Sequence, residues 1–86
     1  MVAMQIDPIL RDISQYLEEA FGNVSEESPE GDYYVLSVIV SGERRTLKVH
    51  RNLFIFADVV PGYLRNNDIA GQLERGNVEI AKPLHT

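Results

Sequence analysis

Apolar residues recur at helical spacing early in the chain, where Ile9, Leu10, Ile13, Tyr16, Leu17, Ala20 and Phe21 make one stripe. Arg11, Asp12, Ser14, Gln15, Glu18 and Glu19 fill the opposite side. Asp7 suits the N-cap, Pro8 the first helical position, and Gly22 the left-handed residue after the last turn. The spacing and both ends predict a helix over about Pro8 to Phe21.

The pattern then changes. Residues 23–32, with Ser25-Glu-Glu-Ser-Pro-Glu-Gly-Asp32 at their centre, show no periodicity and contain Pro29 and Gly31. They predict a flexible acidic loop. Tyr33 to Val40 is β-branched and aromatic, and a turn around Ser41-Gly42-Glu43-Arg44 predicts a hairpin. Closing it at Gly42-Glu43 sets Val38 opposite Leu47, Leu36 opposite Val49, Ser37 opposite Lys48 and Val35 opposite His50. One face is then Tyr34, Leu36, Val38, Val40, Leu47 and Val49. The other mixes Tyr33, Val35 and Ile39 with Thr46, Lys48 and His50. A slip of one residue scrambles both faces, so the pattern favours this pairing.

Leu53-Phe-Ile-Phe-Ala57 fits a strand or a helix, and its length and aromatic content lean towards a third strand. Pro61-Gly62 punctuates the chain, and Tyr63-Leu64 begins a short helical turn. Asp68 suits the N-cap of a short helix with Ile69, Ala70 and Leu73 inward, ending at Gly76. Val78 to Ala81 alternates like a last short strand before Pro83.

A chain of 86 residues is one domain with a modest core. It has no cysteine, so disulfides, thiolate metal sites and cysteine nucleophiles are excluded. The longest apolar run, Leu53 to Val60, is interrupted by Asp58 and is too short to span a membrane. The first residues lack a basic segment and an apolar stretch, so no signal peptide is expected and a cytoplasmic location is the default. Without secretion, the glycosylation pattern Asn23-Val24-Ser25 carries no information.

The net charge of −5 is unevenly spread. Residues 1–33 hold Asp7, Asp12, Glu18, Glu19, Glu26, Glu27, Glu30 and Asp32 against Arg11 alone, a balance of −7. Residues 34–66 hold Arg44, Arg45, Lys48, Arg51 and Arg65 against Glu43 and Asp58, a balance of +3. This asymmetry is the most informative feature of the composition.

Candidate chemistry is sparse. His50 and His85 are the histidines, and no His or carboxylate set has ligand spacing, so no metal and no cofactor are expected. The acidic segment does not follow the calcium-loop template. His50 with Asp58 could make a base and its orienter, but no nucleophile turn or phosphate-cradling glycine run accompanies them. Asn66 to Leu73 has a helix-turn-helix flavour, yet the ten residues after Gly76 leave no room for a recognition helix.

The basic cluster Arg44, Lys48, His50 and Arg51 is the stronger feature. It lies on or beside a hairpin whose outer face also carries Tyr33. Such a ribbon can lie along a phosphate backbone, although an acidic protein gains little from phosphate neutralisation. The bland reading turns these cations towards the negative end of the first helix, where Glu18 and Glu19 oppose the macrodipole.

These features together predict an α+β domain in helix–hairpin–strand–helix–strand order, with the amphipathic helix on the apolar face of a small antiparallel sheet. The inward set is Ile9, Leu10, Ile13, Tyr16, Leu17, Phe21, Leu36, Val38, Val40, Leu47, Val49, Ile69 and Leu73. The leading function is a non-catalytic protein-interaction or regulatory module, a homodimer or the binder of a protein partner. Its expected partner face is Tyr33, Val35, Ile39, Arg44, Lys48, His50 and Arg51. A nucleic-acid-binding domain using residues 44–51 is the alternative, and an enzyme is disfavoured.

Overall fold

The computed structural model describes residues 8–51 and 60–80. The elements are α1 (Pro8–Phe21), β1 (Ser25–Glu30), β2 (Tyr33–Val40), β3 (Glu43–His50), α2 (Val60–Asn66), α3 (Ile69–Arg75) and β4 (Val78–Ile80). This is the expected α+β class. The strands form one sheet in the order β1-β2-β3-β4. The helices share one core with its inner face: Ile13 and Leu17 from α1, Leu36, Val38, Leu47 and Val49 from the hairpin, Val60 and Leu64 from α2, Ile69 and Leu73 from α3, and Ile80 from β4. All thirteen residues of the inward set belong to this cluster or pack against it. Val60, Leu64 and Ile80 are core residues that set did not include.

The α1 boundaries agree with the pattern, and Gly22 takes positive φ after the last turn. The helix α3 begins at its Asp68 cap and ends at Gly76, as its sequence suggests. Its orphan amides find two different acceptors. Gly71 N–H donates to Asp68 Oδ1 at 3.2 Å, and Ala70 N–H donates to the Tyr16 hydroxyl at 3.0 Å. Tyr16 thus ties α1 to the start of α3.

Four expectations are corrected. Residues 25–30 are not a loop but strand β1, antiparallel to β2. Pro29 and a register shift between Glu27 and Glu30 are tolerated because β1 is at the sheet edge, where a missing N–H breaks little of the ladder. The hairpin closes two residues away from the expected register, with Leu36 opposite Leu47, Tyr34 opposite Val49 and Val38 opposite Arg45. Its central residues are Ser41 and Gly42, at φ 52 and 82, the positive pair that a type I′ turn needs. A slip of two keeps each side chain on its face, so both faces stand.

The sheet is mixed rather than antiparallel, because β4 pairs parallel to β3. The chain leaves β3, passes through α2 and α3 on the inner face, and re-enters beside it, which a parallel pair requires. Finally, Pro61-Gly62 does not break the chain. It lies in the first turn of α2, where proline costs no hydrogen bond, and the burial of Val60 and Leu64 holds the helix. Leu53 to Ala57, expected as a strand, lies outside the described residues. Among the described residues, no helix is long and apolar enough to cross a membrane.

Candidate interaction face of the sheet

Alternation along β2 and β3 puts Tyr33, Val35, Ser37 and Ile39 on the face away from the helices, together with Arg44, Thr46, Lys48 and His50. Of the expected partner face, only Arg51 is not on these strands. It follows β3, and its N–H donates to the Asp32 carbonyl at 2.7 Å. Register places Glu27, Val35, Lys48 and Glu79 in one row across all four strands.

The basic cluster does not answer the C-terminal end of α1. Its cations reach across β2 to the acidic edge strand instead. Arg44 Nη2 lies 3.0 Å from Glu27 Oε2, and Lys48 Nζ lies 2.7 Å from Glu30 Oε1. The Ser37 hydroxyl donates to Glu27 Oε2 at 2.7 Å. These bridges run over the middle of β2, and Val35 and Ser37 beneath are each only 6% exposed. Val35 is therefore not left open on the outer face, as expected, but covered within its own chain. Long charged side chains bury apolar surface with their stems while their heads stay wet. Ile39, beyond the bridges, is 50% exposed and is the large apolar residue left open among the described residues.

The electrostatics follow from these contacts. Glu27 is held below its ordinary carboxylate value, first by the Ser37 hydrogen bond and then by Arg44. Lys48 is raised by its hydrogen bond to Glu30 and by that residue's charge. The Tyr33 phenol is raised by desolvation and by its hydrogen bond to Glu79. Tyr33 also meets His50 edge to face, with ring centroids 5.1 Å apart and planes at 82°.

Side-chain amides extend the ladder at both edges. Asn23 receives the Ile39 N–H at 2.8 Å and donates to the Ile39 carbonyl at 3.2 Å, ahead of β1. Asn77 receives the Thr46 N–H at 2.9 Å, ahead of β4. A depression of about 600 Å³ lies on the outer face, floored by Val35 and rimmed by Glu27, Glu30, Arg44, Lys48 and Glu79.

Among the described residues, no group of three or more histidines, cysteines, aspartates or glutamates is placed to hold a metal ion. Asp58, the possible orienter of His50, and His85 lie outside the described residues. The sequence reading missed Glu27, Glu30 and Glu79 as members of this face. The signal that could have found them was the charge asymmetry itself, an acidic segment followed directly by a basic hairpin. The chain matches no protein-family model, no curated protein and no solved structure.

Proposed function

We propose that the protein is a non-catalytic interaction module that docks through the outer face of its sheet, and that this face takes a second copy of the chain. One observation carries the reading: acids line β1 on one side of β2, and bases line β3 on the other. A twofold axis parallel to β2 sets the β1 of one copy over the β3 of its mate. Glu27 and Glu30 then lie above the mate's cations, twice over, as an isologous interface requires. An axis across the strands would stack acid on acid and is disfavoured.

Because β2 lies between the two rows, it falls near the axis, and Ile39 meets Ile39 of the second copy. That contact buries the exposed apolar side chain. Desolvating paired charges offsets much of the gain, so the dimer forms at micromolar rather than nanomolar concentration.

Light scattering behind size exclusion reads the mass directly. A single cysteine in this cysteine-free chain reads the geometry. Stacked sheets lie about 10 Å apart, too far for a disulfide but within reach of a short bis-maleimide. Ile39→Cys should cross-link efficiently and Glu74→Cys, on the exposed side of α3, should not. Ile39→Lys should give a monomer. A monomeric wild type at about 100 μM, well above the expected Kd, sinks the dimer. Equal cross-linking at both positions sinks the face.

A further inference from the structure

We infer that β1 is a displaceable self-ligand, and that the β2 edge it covers is a binding site for an extended acidic segment of a partner protein with carboxylates three residues apart. The inference goes beyond the pairing of two copies, because it uses the strand edge rather than the face, and the two can fail separately.

Strand β1 contributes nothing to the core. All of its side chains are exposed or half-exposed, and only Val24 before it packs against the cluster. Its ladder is interrupted by the register shift between Glu27 and Glu30 and by Pro29, which has no N–H to donate. Both approaches to it turn at glycines of positive φ, Gly22 at 78 and Gly31 at 57, conformations that other residues rarely adopt. Asn23 clamps Ile39 by two hydrogen bonds, so the chain is pinned just before the strand. Between that clamp and Gly31, β1 is held by its backbone rungs and by contacts of Glu27 and Glu30 with Ser37, Arg44 and Lys48. A segment with few buried apolar contacts and a wet ladder opens before the core does.

Removing β1 exposes a specific surface. Successive N–H groups of a strand point to opposite sides, and that of Ile39 points to the β1 side. Those of Val35 and Ser37 therefore do so as well, while Leu36 and Val38 bond to β3. The opened edge offers the Tyr33, Val35 and Ser37 amides for strand addition, flanked on the outer face by Arg44 and Lys48. An incoming strand satisfies both features when it places one carboxylate opposite Val35 and, across a bulge like the one in β1, a second three residues further on and on the same face. Glu27 and Glu30 have this spacing. The charge preference excludes basic segments, which would leave both cations repelled.

An outside strand competes with a tethered one whose effective concentration is in the millimolar range, so the intact chain takes it weakly. The test uses the full chain and a fluorescein-labelled peptide with the sequence of residues 24–31, against a control peptide with glutamine in place of both glutamates at the spacing of Glu27 and Glu30. Fluorescence anisotropy should show the Glu27→Gln/Glu30→Gln chain binding the acidic peptide at least about tenfold more tightly than wild type, because the tethered competitor is weakened. The control peptide should gain nothing, and adding Arg44→Ala and Lys48→Ala should abolish the gain. In wild type, hydrogen exchange should find the Val35 and Ser37 amides faster than those of Leu36 and Val38, more so at high salt. Retained protection of Leu36 and Val38 in the variant shows that it is folded, and Glu30→Gln alone repeats the comparison with a smaller perturbation. Equal affinity of wild type and variant for the acidic peptide overturns the inference. So does protection of Val35 and Ser37 equal to that of their neighbours.

Discussion

Replacing Gly71 by alanine sets two effects of similar size against each other at the start of α3. Alanine in a helix interior is favoured over glycine by about 1 kcal/mol. The added methyl group, however, would sit 2.7 Å from Asp68 Cγ and 2.9 Å from Oδ1, too close for any real contact. Asp68 holds that position because its carboxylate caps the Gly71 amide, from a left-handed backbone at φ 50 and ψ 53. To admit the methyl group the carboxylate must swing out and give up the cap, a loss of about 1 kcal/mol. Gly71→Ala alone should therefore change stability by less than about 0.5 kcal/mol, the difference of the two effects. Asp68→Gly removes the carboxylate and tolerates the left-handed backbone, so it should cost only about a few tenths of a kcal/mol. In that background the propensity gain appears undiminished, and Gly71→Ala should stabilise by about 1 kcal/mol. Urea melts of the four proteins, fitted with a common slope, give a coupling energy of about 1 kcal/mol if the clash is real. Additivity within about 0.3 kcal/mol would refute the reasoning, as would a full gain from Gly71→Ala alone.

Two further outcomes follow from the core and from the outer face. Leu17→Ala and Val38→Ala, at buried positions of α1 and β2, should cost about 2–4 and 1–3 kcal/mol in denaturant melts. Losses below about 0.5 kcal/mol at both would mean that the helix does not pack on this sheet face. Glu27 has its folded-state pKa below the ordinary value near 4.5, so its stabilising contribution is present above that value and lost as pH falls through the lower one. Melting temperature should thus fall more steeply between about pH 5 and 3 in wild type than in Glu27→Gln. Parallel curves would remove the Ser37 and Arg44 contacts as its cause.

How much of this was legible in the sequence depends on the range over which each decision is made. The helix α1 and the caps of α3 are local, set by side chains a few residues apart, and the pattern found them. The two faces of the hairpin are a matter of parity, so they were legible too. Its register was not, because closing at Ser41-Gly42 or one residue later, at Gly42-Glu43, shifts the pairing by two and leaves the same residues facing the core. Only the chemistry of the turn separates the two, and Ser41 at positive φ is a less familiar choice than glycine. The strand β1 was illegible for a different reason. Nothing in Ser25 to Glu30 alternates, and its partners Arg44 and Lys48 lie well beyond it in the chain. The direction of β4 depends on the path taken through α2 and α3, which three alternating residues cannot encode. The outer face of the hairpin was legible as a set of residues on β2 and β3, whereas the acidic half that β1 adds to it was not.

The charge asymmetry is where sequence and fold meet. A chain that carries −7 over residues 1–33 and +3 over residues 34–66 must bring the two together or bear the repulsion within each. Laying β1 on β2 does so for Glu27 and Glu30, whereas Glu18 and Glu19 stay at the end of α1, which has no basic residue in its last turn. That choice bears on what the outer face can recognise. Affinity for a polyanion comes largely from releasing small counterions held by cationic side chains. Arg44 and Lys48 already hold carboxylates of their own chain, so a phosphate backbone would have to displace β1's glutamates and face their repulsion afterwards. A protein segment that brings its own carboxylates makes a different exchange. It replaces Glu27 and Glu30 like for like, restores the rungs on β2, and leaves the charge around Arg44 and Lys48 balanced as before. The arrangement that weakens the case for nucleic acid is therefore the one that supports an acidic strand as the proposed partner.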